Sequence, residues 1–216
     1  MPAASQLRQH LDDVRKTRTR EKLLDAAASV FTREGFHKPR ISDIVGTAGL
    51  GQGTFYRYFE SKPALFEALF ERLMEQLLAE FSPMSTRLPA NGDEYLAASR
   101  AVVDRLAQVV RANRELVLLF LREGRSVGPD FQQRLDDTLD RFAQLARSYL
   151  DHAIGQGFAR PCRGDLVSQA LVGIGLRMVE LWLSGRLAEL ELDRVTTELV
   201  DFAFQGFRAT KGVGHG

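Results

Sequence analysis

The 216-residue sequence predicts an all-α protein. Three observations carry that prediction. Apolar residues recur at three- and four-residue spacings through almost the whole chain. No stretch alternates apolar and polar residues for long enough to make a useful strand. Glycine and proline gather at a few points that divide the periodic stretches.

Taken in order, residues 1–16 read as an N-terminal extension. Leu23, Leu24, Ala27, Val30 and Phe31 then share one face of a helix over about 17–34. Gly35 ends it, with Phe36 placed for the apolar contact that follows a glycine cap. Ile41, Ile44, Val45 and Ala48 line a short second helix. Gly49, Leu50 and Gly51 make a tight turn, and 52–59 leaves room for only two further helical turns. Ser61 can cap a longer helix over about 62–81, whose first turn tolerates Pro63. Its apolar stripe is Leu65, Phe66, Leu69, Phe70, Leu73, Leu77 and Phe81. Residues 82–92, with Pro83, Pro89 and Gly92, read as a linker. Beyond it the periodicity predicts helices at about 93–112, 114–124, 130–155, 165–184 and 193–209.

Charge is distributed unevenly. The chain has 29 Lys+Arg and 28 Asp+Glu, yet residues 15–65 hold ten of the former and five of the latter, a surplus that suits a polyanion. The short helix, glycine turn and second short helix within 36–62 have the proportions of a helix-turn-helix, whose second helix enters the major groove of duplex DNA. With Phe55 and Phe59 inward, the helical period turns Gln52, Thr54 and Arg57 outward. Gln pairs adenine, Arg pairs guanine and the Thr methyl meets thymine. Gly53 leaves the start of that helix bare for close approach. On composition alone, Tyr56 and Tyr58 are equally suited to core or phosphate, and Lys62 is either a solvated lysine or an anion ligand at a helix start. Arg8, Arg15, Lys16, Arg18 and Arg20, at or before the first helix, either form a solvated extension or reach a neighbouring groove.

These residues resemble the tetracycline-repressor (TetR) family of bacterial transcriptional regulators. The likeness lies in Ala26-Ala27 through Phe31, Gly35-Phe36, Ile41, Asp43-Ile44, Ala48-Gly49-Leu50, Gly53-Thr54-Phe55-Tyr56, Tyr58-Phe59, Ser61-Lys62 and Leu65. It implies a three-helix DNA-binding domain over 17–62. Gln52, Thr54 and Arg57 would face bases, while Ser42, Tyr56, Tyr58 and Lys62 would hold phosphates. The chain departs from the family pattern at Arg40, where a Ser or Thr cap is usual, at Gly51, which removes a second cap, and at Val45. Arg40 is itself suited to a phosphate contact.

The resemblance also implies that 63–216 forms a C-terminal helical bundle that binds a small effector and pairs two subunits. Leu116, Phe120, Phe131, Phe142, Tyr149 and Met178 are the candidate pocket residues. Leu171, Ile174, Trp182, Leu199 and Phe202 are the candidates for a two-fold interface. Arg177 either exits to solvent or meets Glu123 or an anionic ligand, and Arg122 with Glu123 is otherwise a surface pair.

The expected partners are double-stranded operator DNA, an apolar or aromatic small molecule and a second copy of the chain. No enzyme is expected, because the four histidines are scattered and neither a H-E-x-x-H nor a G-x-S-x-G motif occurs. No metal or cofactor is expected either. The single Cys162 suits a reducing cytoplasm, the N-terminus has no apolar signal core, and 170–183 is interrupted by Arg177 and Glu180, so no membrane span is expected. Two rivals are a ligand-independent regulator of the same fold and a helical small-molecule carrier whose DNA-binding domain no longer functions.

Overall fold

The computed structural model describes residues 2–81, 88–187 and 191–207. Among these, regular structure is helical, in the order α1 (Pro2–Glu34), α2 (Ile41–Ala48), α3 (Gln52–Phe55), α4 (Lys62–Ala79), α5 (Gly92–Ala112), α6 (Arg114–Val127), α7 (Pro129–Gly155), α8 (Gly164–Leu183) and α9 (Leu192–Phe207). Most of the expected linker, 82–87, and the expected end of the last helix at 208–209 lie outside the described residues. The expected extension 1–16 belongs instead to α1 from Pro2 onward. No glycine or further proline interrupts the helix before Gly35, and proline at its first position lacks only an N–H that would go unpaired.

The chain divides into two units, Met1–Leu73 with Leu119–Phe131, and Met74–Leu118 with Gln132–Gly216. The first therefore extends past residue 62 and includes a segment distant in sequence. Its core buries Leu23, Leu24, Val30, Phe31, Ile44, Phe55, Leu65, Phe66 and Leu69 completely. At roughly 1.5–3 kcal/mol per fully buried apolar side chain, these residues supply its main cohesion. Phe120 and Phe131 complete that core. Their rings lie 5.0 and 5.2 Å from Phe66, and 5.3 and 5.0 Å from Phe70. These two candidates for the effector pocket thus pack edge and face against the rings of the first unit. Gly124, expected as a helix end, sits inside α6. A Cβ there would stand 2.5 Å from Phe131 Cε1, so only glycine lets the ring approach.

In the second unit, α5 and α9 are tied by Arg100 to Asp201, Arg111 to Asp193 at 2.8 Å, and the Thr196 hydroxyl donating to Asp104 at 3.0 Å. Tyr95 and Tyr149 stack with centroids 4.5 Å apart, amid Leu150, Ala153, Ala159 and Phe204. Phe81 meets Phe142 at 5.8 Å. By length and composition α8 is long and apolar enough to cross a membrane, which corrects the expectation drawn from 170–183. Only 11% of its most apolar stretch is buried, and Leu166, Leu176 and, on α9, Phe202 are exposed. Its polar side chains engage neighbours, with Gln169 donating to Asp140 at 2.9 Å and Arg177 pairing with Glu180 at 2.6 Å.

Candidate nucleic-acid interface

The geometry of the helix-turn-helix follows from its glycines and its buried rings. Gly49 adopts φ 66°, a left-handed conformation that favours glycine. Its N–H and that of Leu50 return to the carbonyls of Gly46 and Val45 at 3.1 and 2.9 Å and close α2. At the start of α2, Arg40 supplies no side-chain acceptor. The Asp43 carboxylate instead accepts the Arg40 N–H at 2.8 Å, so the reciprocal half of a capping box survives. Ser61 caps α4 by accepting the Ala64 N–H at 3.2 Å.

The recognition helix α3 is a single turn, followed by a tighter turn in which Arg57 and Tyr58 bond back to Thr54 and Phe55. Isolated, four residues would not hold a helix. Phe55 and Phe59, 0% and 5% exposed, anchor it, with their rings 5.9 Å apart. Gln52 and Arg57 are exposed and Thr54 half-exposed, with Arg57 Nη2 donating to Thr54 Oγ1 at 3.4 Å. A Cβ on Gly53 would meet nothing within 4 Å. Packing within the protein therefore does not require a glycine there, whereas close approach from outside would. Arg40 and Ser42 are exposed, Tyr56 is 56% exposed, and Tyr58 is half-buried.

Lys62 behaves differently from the others. Its ammonium donates to the carbonyls of Phe36, His37 and Pro39 at 2.8, 3.0 and 2.9 Å and lies 4.7 Å from the Phe36 ring centroid. An ammonium has three N–H donors, and all three are used. Lys62, expected to hold a phosphate, thus clamps the turn between α1 and α2. Burial pulls the Lys62 pKa below the ordinary lysine value, against the opposing influence of the Glu123 carboxylate.

Glu123 is the residue that sequence reasoning misplaced. Its Oε2 accepts the Phe36 N–H at 2.6 Å, while Oε1 sits 2.8 Å from where a Gly35 Cβ would stand. Gly35 has φ 81°, a left-handed conformation that favours glycine, and any side chain there would push against the Glu123 carboxylate. The His37 ring nitrogen meets Ser126 Oγ at 2.8 Å. The turn preceding α2 is thus held from α6 as well as from α4. Of the two courses open to Arg177 it takes the first, exposed and paired with Glu180, and Arg122 is exposed as well.

Among the remaining candidates, Leu116 and Tyr149 are buried in the second unit, with Phe142 and Met178 half-buried there. Leu171, Ile174, Trp182 and Leu199 are half-buried, Phe202 is 72% exposed, and the Arg114 guanidinium lies 5.4 Å from the Trp182 ring centroid. A groove of about 360 Å³ in the second unit is lined by Gln76, Glu80, Arg105, Gln108, Val109, Ala112 and Asn113, none of them an expected pocket residue.

Residues 23–69 match the profile described as bacterial regulatory proteins, tetR family. A Bacillus subtilis protein named an uncharacterized HTH-type transcriptional regulator YvdT is 55% identical over 49 residues, which are 23% of this chain and 25% of that one. The Escherichia coli HTH-type transcriptional regulator UidR is 30% identical over 106 residues, 49% of this chain and 52% of its own. The chain thus spans from about a quarter to about half the length of these relatives. The fatty acid degradation regulator FadR of Bacillus halodurans shares the fold at TM-score 0.73 and 20% identity, covering 87% of this chain and 99% of its own. FadR of Bacillus subtilis, solved in complex with stearoyl-CoA, does so at TM-score 0.73 and 20% identity, over 86% and 98%. By its helix-turn-helix and the profile match over residues 23–69, the N-terminal part of the chain is similar to the bacterial regulatory proteins of the tetR family.

Proposed function

We propose that the chain is a sequence-specific DNA-binding regulator of transcription that acts as a homodimer on a two-fold symmetric operator. The observation that carries this reading is the division of labour on α3. Phe55 and Phe59 are buried beneath it, while Gln52, Thr54 and Arg57 stand outward beside an unobstructed Gly53. These side chains read base edges. Arg40, Ser42, Tyr56 and Tyr58 flank them and set register through phosphates.

Dimerisation is supported by the apolar α8, so little of which is buried in a single chain, and by exposed Phe202 on α9. A second copy covering Leu171, Ile174, Trp182, Leu199 and Phe202 would remove that surface from water and set two recognition helices about one DNA turn apart. Repression follows from occupancy of the operator. A small apolar or aromatic effector, held in the second unit near Leu116, Phe142, Tyr149 and Met178, would release it by binding better to a conformation with the wrong spacing. The likeness in fold to a regulator solved with stearoyl-CoA supports an effector with an apolar part. This is a binding rather than a catalytic role, exercised in the cytoplasm.

Selection of bound sequences from a random duplex pool, at two salt concentrations, tests the reading. Enrichment of a two-fold symmetric site that persists at the higher salt is expected. Binding without enrichment, vanishing as salt rises, would overturn it in favour of a small-molecule carrier.

A further inference from the structure

The second unit carries a concavity that neither the proposed DNA contact nor the proposed effector residues use. On α5, Arg105, Gln108, Val109 and Ala112 follow one another at spacings of three and four and so share one helix face, which Asn113 extends as the helix ends. Gln76 on α4 and Glu80, just past its end, complete the lining of the groove of about 360 Å³. That volume lies at the small end of the range for small-molecule sites. Gln76, Gln108 and Ala112 are exposed, so the core of the second unit does not require these side chains.

The lining is polar but carries no net charge. Arg105 and Glu80 are paired, with Nε 3.1 Å from Oε2, and Arg105 Nη2 donates to the Glu80 carbonyl at 3.0 Å. The pair fixes the guanidinium and cancels its charge, so a free ion gains little by entering. Arg105 still has donors to spare. A guanidinium carries five N–H groups, yet among the described residues Arg105 makes one hydrogen bond, and its Nε is shut off from solvent without one. A buried donor without an acceptor is uncommon in a folded protein. Asn113 commits its amide nitrogen to the Val109 carbonyl at 2.9 Å, which leaves its own carbonyl oxygen as an acceptor. The amides of Gln76 and Gln108 have no partner among the described residues, and each offers both donors and an acceptor. Val109 and Ala112 add a small apolar patch.

We propose that this groove binds a neutral, polyhydroxylated small molecule of monosaccharide size. Each hydroxyl of such a molecule donates and accepts at once, as the three amides do, and its C–H face suits the patch at Val109 and Ala112. A hydrophobic compound would bury too little apolar surface here, and an anion would meet the Glu80 carboxylate beside Arg105. The site is separate from the effector region near Leu116, Phe142, Tyr149 and Met178, none of which lines it, and it does not depend on the DNA-binding reading. Few apolar contacts and a small ligand set a modest affinity, with a dissociation constant of about 1 mM.

Saturation-transfer NMR on the full chain tests this, with glucose, galactose and myo-inositol as neutral probes and acetate and glycerol phosphate as charged ones. Transfer to at least one neutral probe, stronger than to either anion, is expected. A Q76A/Q108A variant should raise the dissociation constant of that probe about tenfold or more, for the loss of two hydrogen bonds. Gln156 is exposed and lies outside the groove, so Q156A should bind as the unaltered chain does. Circular dichroism should show the same helix content in all three, since every substituted residue is exposed. Absence of transfer to all neutral probes at about 10 mM, ten times the expected constant, would overturn the proposal. So would undiminished binding by Q76A/Q108A, or an equal loss in Q156A. Stronger transfer to acetate or glycerol phosphate would overturn it as well, by showing an anion site at Arg105.

Discussion

Lys62→Met separates holding the site from touching DNA. The substitution keeps the stem of the side chain and removes the ammonium that bonds to three carbonyls at 2.8, 3.0 and 2.9 Å. The Phe36 and Pro39 bonds are partly buried, whereas the one to His37 is exposed, so water replaces the third donor but reaches the first two poorly. Counting about 1.5 kcal/mol for each of those two charge-assisted bonds gives roughly 3 kcal/mol. Loss of the cation over the Phe36 ring adds about 0.5–1 kcal/mol. For a chain of this size a total loss of roughly 3.5–4 kcal/mol corresponds to a fall in Tm of roughly 7–16 °C. Calorimetry of the purified variant reads that fall, and titration of operator DNA at several salt concentrations reads the other arm. The slope against salt should be unchanged, because no N–H of Lys62 is free to replace a counterion. An unchanged Tm together with a slope lower by about 0.9 per protomer would refute the clamp and restore Lys62 as a phosphate ligand.

Gly53→Ala should leave unfolding unchanged or raise stability by up to about 1 kcal/mol, since a Cβ there meets nothing, yet weaken operator binding about tenfold by displacing a base contact worth roughly 1–3 kcal/mol; equal affinity would show that nothing approaches closely. Gly124→Ala forces a Cβ to within 2.5 Å of Phe131 Cε1 and should cost about 1–3 kcal/mol in urea unfolding, whereas Gly155→Ala, with open space, should cost nothing, and equal behaviour would contradict the packing. Burial pushes the Tyr149 phenol up to about 12, against the opposing influence of the nearby Ser99 hydroxyl, and raises Tyr95 as well. A phenol whose folded pKa exceeds its unfolded value of about 10 stabilises fully below pH 10 and loses that contribution as pH rises toward 12. Urea midpoints should therefore fall over that window, and the fall should flatten in Tyr149→Phe; a profile identical in the variant would rule out this origin.

How much of this was legible in the sequence depends on the range of the interactions. The helical class, the turn at Gly49 and the inward set of Phe55 and Phe59 depend on residues within a few positions of one another, and local periodicity and glycine chemistry reveal them. The length of α1 was not legible, because apolar periodicity begins only near Leu23, and a polar helix leaves no pattern for a core to impose. Gly124 resembled a helix stop because glycine marks ends and close contacts alike. Which one applies depended on Phe131, and so on the packing of Phe66, Phe70 and Phe120 around it. Those rings read as pocket candidates for the same reason, since helical spacing says that an aromatic faces inward and not what it meets there. Glu123 lay beyond reach altogether. It bonds to Phe36 across 87 positions, and only Gly35, apparently a simple cap, hinted that space there was scarce.

The same distinction orders the site itself. Arg40, Gln52 and Arg57 carry no part of the core, so on the proposed reading substitutions there should alter what is bound while leaving the fold intact. Phe55, Phe59, Lys62, Gly35 and Glu123 have the opposite character, because each fixes backbone that presents the readers. A one-turn recognition helix makes this separation necessary. Four residues cannot stabilise their own conformation, so α3 is held by rings beneath it and by a clamped turn ahead of α2, and its outer face is left to whatever sequence it must read. Stability measurements on the outer residues and affinity measurements on the inner ones are therefore independent controls for each other. A substitution at Gln52 that cost as much stability as one at Lys62 would show that the division does not hold.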